Sequence, residues 1–133
     1  MAAAGRAWRA VGAIGAVYAV VGITFAISAT HVQAWRLAAW IVSGIAYGGH
    51  IAYERFWLKS TVPTAALHAA LAAALGAFAL AVGANIHSLV VGSTTQHRLL
   101  LRASLGIWPV VTGVPAFVVG LIASALMPVK RRE

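Results

Sequence analysis

Few residues in this chain are equipped for chemistry. Glu54 and Glu133 are its only acids, and Glu54 alone lies away from the chain end. His50 precedes Glu54 by one helical turn, so a helix here presents a His-x-x-x-Glu pair on one face. His68 lies beyond Pro63. If the segments before and after that proline are antiparallel helices, His68 reaches a depth comparable with His50 and Glu54. Tyr53 adjoins Glu54 but points about 100° around the helix. Two imidazoles and a carboxylate suit a divalent metal, and two imidazoles can ligate haem. The same groups can pass a proton, because an imidazole titrates near neutrality and burial pushes carboxyls towards that range. The competing account is structural. In it Glu54 sits at a membrane edge, bonded to histidine or to snorkelled arginine and lysine, and the His and Tyr side chains are interfacial.

The pair belongs to a longer pattern. Arg36, Trp40, Ser43, Tyr47, His50, Glu54 and Trp57 follow one another at alternating steps of four and three. On a regular helix all seven share a face. A polar stripe is costly against lipid, so the expectation is that it faces protein or a wet cavity, with His50, Glu54 and Trp57 turned to the protein interior or to a subunit contact. About a quarter turn away, Gly44 and Gly48 form a GxxxG pair that would admit a neighbouring helix.

The elements that must carry these residues follow from composition. The 133 residues are 62% apolar and 9% charged, with a mean hydropathy of +0.89. A water-soluble domain has about 25% charged residues, so most of this surface is expected to meet lipid. Ten Lys and Arg against two acids give a net charge of +8. The basic residues gather at the ends of apolar runs, which fits anionic lipid headgroups rather than nucleic acid. No cysteine is present, which excludes disulfides, thiolate metal sites and thiol catalysis.

Four apolar stretches predict an all-α integral membrane protein, a single domain over residues 1–133. Its four antiparallel transmembrane helices, roughly 8–29, 35–58, 63–91 and 99–127, form a compact bundle with short loops. Positions 92–97 read as a polar exit loop. The first helix resembles a signal peptide, with Arg6 and Arg9 before an apolar run, but that run is longer than a signal core. Arg6, Arg9, Arg55, Lys59, Lys130, Arg131 and Arg132 fall on one side, and Arg36, Arg98 and Arg102 on the other. Seven against three places both termini in the cytoplasm. The Ala- and Arg-rich composition suggests a bacterial inner membrane.

Small residues form rows at the same alternating spacing: Gly12, Gly15, Ala19, Gly22, Ala26 and Ala29 in helix 1, Ala69, Ala72, Gly76, Ala79 and Gly83 in helix 3, and Gly106, Pro109, Gly113, Ala116, Gly120 and Ala123 in helix 4. Such rows let backbones approach closely, and they are predicted to be contact seams. Asn85 should hydrogen-bond a neighbouring helix, Pro109 and Pro115 should loosen helix 4, and His31 and His97 fall in loops, with His87 near the exit of helix 3. Trp8, Trp35, Trp57 and Trp108 read as interface anchors, Trp108 the least comfortably.

No P-loop, GxSxG, HExxH or Asp-rich motif occurs, and one internal acid excludes two-carboxylate and two-metal hydrolysis. The chain therefore reads as a non-catalytic subunit or self-assembling component of a membrane complex, without a cofactor. One alternative is a homo-oligomeric transporter or channel lined by the stripe of helix 2. Another is a redox or metal protein using His50, Glu54 and His68.

Overall fold

Four stretches low in charge become four long helices. The computed structural model describes residues 2–27, 32–92 and 94–127. Ala29, His31, Ser93, Lys130, Arg131 and Arg132 lie outside them. The helices are α1 (Ala2–Ile27), α2 (Val32–Ala52), α3 (Val62–Val91) and α4 (Thr95–Ala125), and α2 continues into a π-helical turn at Tyr53–Trp57. Pro63 stands in the first turn of α3, where its missing N–H costs nothing. Thr94 caps α4 by accepting from the His97 amide at 3.3 Å, so Gln96 and His97 begin a helix rather than completing a loop. The loop expected over 92–97 is shortened accordingly. Gly92 follows α3 with φ +79°, a conformation open to glycine. α4 runs on through Pro109 and Pro115.

Contacts between helices set their directions. Gly15 of α1 meets Ala72 and Leu75 of α3, and Gly22 meets Leu80, so α1 and α3 run the same way. Gly113 and Gly120 of α4 meet Ala74 and Ala66, so α4 runs back along α3. Tyr47 donates to the Ala116 carbonyl and Arg55 to the Met127 carbonyl, so α2 runs parallel to α4. The start of α1, the α2–α3 turn and the end of α4 therefore share one end of the bundle, called here the terminal end.

α3 is the central element. One edge, through Ala72 and Gly76, packs on α1, and another, through Ala66, Ala70 and Ala74, packs on α4. Its Ala65, Ala66, Ala69 and Ala72 are fully buried. A core of alanine holds the backbones close, which favours dispersion contacts over many atoms. The large apolar side chains point outward instead, among them Val20, Ile45, Val90 and Val110.

Three helices are long and apolar enough to cross a membrane: α1 over Ala4–Thr24, α3 and α4. The 21-residue α2 is not among them.

Candidate functional site

At the terminal end, Glu54 is fully buried, with 0% exposure. Its Oε1 lies 2.9 Å from His68 Nδ1, and its Oε2 accepts from Ser60 Oγ at 2.5 Å. With the carboxylate ionised, His68 Nδ1–H is the donor. His50 Nε2 lies 3.8 Å from the same Oε1, close enough to pair electrostatically but too far to hydrogen-bond. The structure thus brings His50, Glu54 and His68 together from α2, the π turn and α3.

Local structure explains the convergence. The Leu58 amide bonds to the Tyr53 carbonyl at 3.2 Å, an i→i+5 closure, and the Ser60 amide bonds to the Glu54 carbonyl at 2.9 Å. This wide turn holds Glu54 towards α3, and Lys59, at φ +53°, reverses the chain so that Ser60 returns to the carboxylate. Arg55 secures the turn, with Nη1 donating to the Ser60 carbonyl at 2.8 Å and Nη2 to the Met127 carbonyl at 3.1 Å. Trp8 of α1 covers His68, ring centroids 5.5 Å apart.

The stripe does not share one fate. Trp57 is 76% exposed on this chain, so it is not interior, and a subunit contact is the part of the expectation left to it. The π turn is the reason: an i→i+5 turn holds more residues than an α turn, so a step of three from Glu54 no longer returns to the same face. Arg36, Trp40, Ser43 and Tyr47 line a cavity of about 710 Å³, whereas His50 and Glu54 are buried below it. The stripe therefore borders no single polar path along α2.

Four side chains carry buried polar atoms without hydrogen-bond partners among the described residues: Tyr18 at Oη, His50 at both ring nitrogens, Arg55 at Nε and Ser124 at Oγ. Ser124 lies on α4 between the Ala116 and Met127 carbonyls that anchor α2, at the depth of His50 and Glu54.

No group of three or more His, Cys, Asp or Glu side chains is arranged to hold a metal ion among the described residues. Both imidazoles instead approach one carboxylate oxygen. The arrangement is a hydrogen-bonded cluster inside the protein that ties three segments together.

The packing glycines divide evenly. A Cβ at Gly15, Gly22, Gly76, Gly113 or Gly120 would meet a neighbouring helix within 4 Å, whereas Gly12, Gly44, Gly48, Gly83 and Gly106 meet nothing in that range. The seam of α1 runs instead through the buried Ala7, Val11 and Gly15. The GxxxG pair of α2 closes on nothing among the described residues. Asn85 bonds across helices, Nδ2 donating to the Leu101 carbonyl of α4 at 2.7 Å and to the Ala81 carbonyl at 2.8 Å. His87, His97, Trp35 and Trp108 are exposed.

Ser60, Arg55, Trp8 and Ser124 escaped the sequence reading. Ser60 left one trace, a short hydroxyl residue in the break before Pro63. The others left none, because no periodicity links them to Glu54.

No protein-family model matches the chain, and neither does any curated protein or any solved structure.

Proposed function

We propose that this chain is a multi-pass membrane protein of four spans, both termini cytoplasmic, acting as a non-catalytic component of a membrane assembly. One observation carries the reading. The single acid within the helices is wholly buried with both oxygens engaged, so the best-equipped site for chemistry serves as an internal lock. The fourth span is α2. Its outward side carries Leu37, Ile41 and Ile45, all exposed, while Tyr47, His50 and Glu54 turn away from that side. Lipid thus meets an apolar face, and the polar groups are shielded, which makes insertion affordable. Gly48 on α2 and Gly106 on α4, where a Cβ would meet nothing within 4 Å among the described residues, leave faces smooth enough to receive other helices.

Mild-detergent extraction from native membrane, followed by size-exclusion chromatography with light scattering, tests the assembly. The expected species is larger than one 13.8 kDa chain plus detergent, and Gly48→Leu with Gly106→Leu should reduce it to monomer. A protein monomeric in native membrane extract overturns the reading.

A further inference from the structure

The cavity above Tyr47 plays no part in the lock. It lies between all four helices, bordered by positions 36 to 47 on α2, 73 to 84 on α3 and 101 to 112 on α4. Each stretch advances eleven residues (47 − 36, 84 − 73 and 112 − 101), about 16 Å of helix at 1.5 Å per residue. That is half the roughly 30 Å thickness of a bilayer core, the depth of one leaflet. The trough stops at the level where Tyr47 donates to the Ala116 carbonyl and closes α2 onto α4. Its walls are mostly small and apolar, such as Gly44, Ala77 and Ala84, with Trp40 and Trp108 at the opening. Arg36 is the one charged residue in the lining, at the end furthest from Tyr47. A volume of about 710 Å³ falls within the usual span of small-molecule sites.

Length, closure and charge define the occupant. We infer that the trough binds one anionic phospholipid from the leaflet opposite the terminal end, its acyl chain lying along the walls and its phosphate at Arg36. A guanidinium recognises phosphate through paired, charge-assisted hydrogen bonds. The inference rests on the membrane reading above but is independent of the assembly.

Native mass spectrometry of delipidated protein in detergent tests it, with phosphatidylglycerol, phosphatidylcholine of the same chains, and inorganic phosphate as probes. One phosphatidylglycerol per chain should be retained, about tenfold more tightly than phosphatidylcholine, a difference of about 1.4 kcal/mol. Arg36→Gln should abolish the headgroup preference. Ala77→Phe should reduce binding of both lipids by filling the trough, and the exposed Ala84→Leu does the same with less risk to folding. Equal binding of the two lipids, or lipid retention unchanged in both filled variants, overturns the inference. Displacement by inorganic phosphate points to a free-anion site at Arg36 and also overturns it. A dimer that disappears on filling shows the occupant to be a second copy, with the same consequence. Protein released from native membranes by alkaline carbonate overturns the membrane reading itself, whereas carbonate-resistant protein that retains no lipid overturns this inference alone.

Discussion

Glu54 is approached on one oxygen by Ser60 and on the other by His68. In Glu54→Gln the amide oxygen can accept from His68, and the NH₂ can donate to Ser60 Oγ only once that hydroxyl turns its own proton away, so the variant loses the carboxylate and the Ser60 donation. The expected loss is about 1–3 kcal/mol, the range for hydrogen bonds to a charged group. Glu54→Ala should cost more, because Ser60, His68 and the buried His50 then all lose it as a partner. Ser60→Ala removes one neutral donor and should cost about 1 kcal/mol. Thermal unfolding in detergent ranks the three, and a Glu54→Gln protein that melts with the parent would show the cluster to be no lock. The histidines of this site were legible in the sequence because helical periodicity and an antiparallel turn are enough to align positions 50, 54 and 68. That Trp57 leaves the interior of this chain was not legible, because nothing in its neighbours' types marks an i→i+5 turn. Ser60, Arg55 and Trp8 were missed because their contacts cross a turn or join separate helices, and such contacts have no period to read.

At the scale of the element, the glycines differ by what a methyl group would meet. At Gly76 a new Cβ runs into the Cβ of Tyr18 and lies 3.3 Å from the Gly15 carbonyl oxygen, neither of which is a flexible chain end. Gly76→Ala should therefore destabilise the α1–α3 contact by about 1–3 kcal/mol, as overpacking does. At Gly12 and Gly106 nothing lies within 4 Å. Alanine there should be neutral, or stabilise by up to about 1 kcal/mol through the lower flexibility of the unfolded chain. Melting temperatures of the three single variants separate the classes, and equal melting of Gly76→Ala and Gly12→Ala would contradict the packing described. The same difference explains why only five of the ten predicted packing glycines would bring a Cβ within 4 Å of a neighbouring helix. In water a helix reveals its buried face by the contrast between apolar and polar sides. Here both sides are apolar and alanine is everywhere, so small residues recur on faces that touch helices and on faces that do not. The existence of the helices was plain from charge-free length. Their facing was not.

At the scale of the molecule, orientation in a membrane is set by basic residues near its surfaces. The terminal end carries Arg6 and Arg9 of α1 with Arg55 and Lys59 of the α2–α3 turn, and the opposite end carries Arg36, Arg98 and Arg102. Those groups alone stand four against three. The sequence adds Lys130, Arg131 and Arg132 after α4, raising the difference from one to four (7 − 3). At about 1 kcal/mol per basic residue near an anionic leaflet, four residues make one orientation strongly preferred, and one residue leaves the two nearly balanced. Cysteines at Ala4 and Gln96, both exposed and at opposite ends of the bundle, report the outcome through a membrane-impermeant thiol reagent applied to intact cells. In the parent sequence the cysteine at position 96 should label and that at position 4 should not. Replacing Lys130, Arg131 and Arg132 together by Gln should make both positions label partially, since the chain then inserts both ways. Labelling of position 4 alone in the parent would reverse the assigned orientation. An unchanged pattern in the triple variant would mean that α1 and the α2–α3 turn determine orientation by themselves, and that the basic residues after α4 contribute nothing to it.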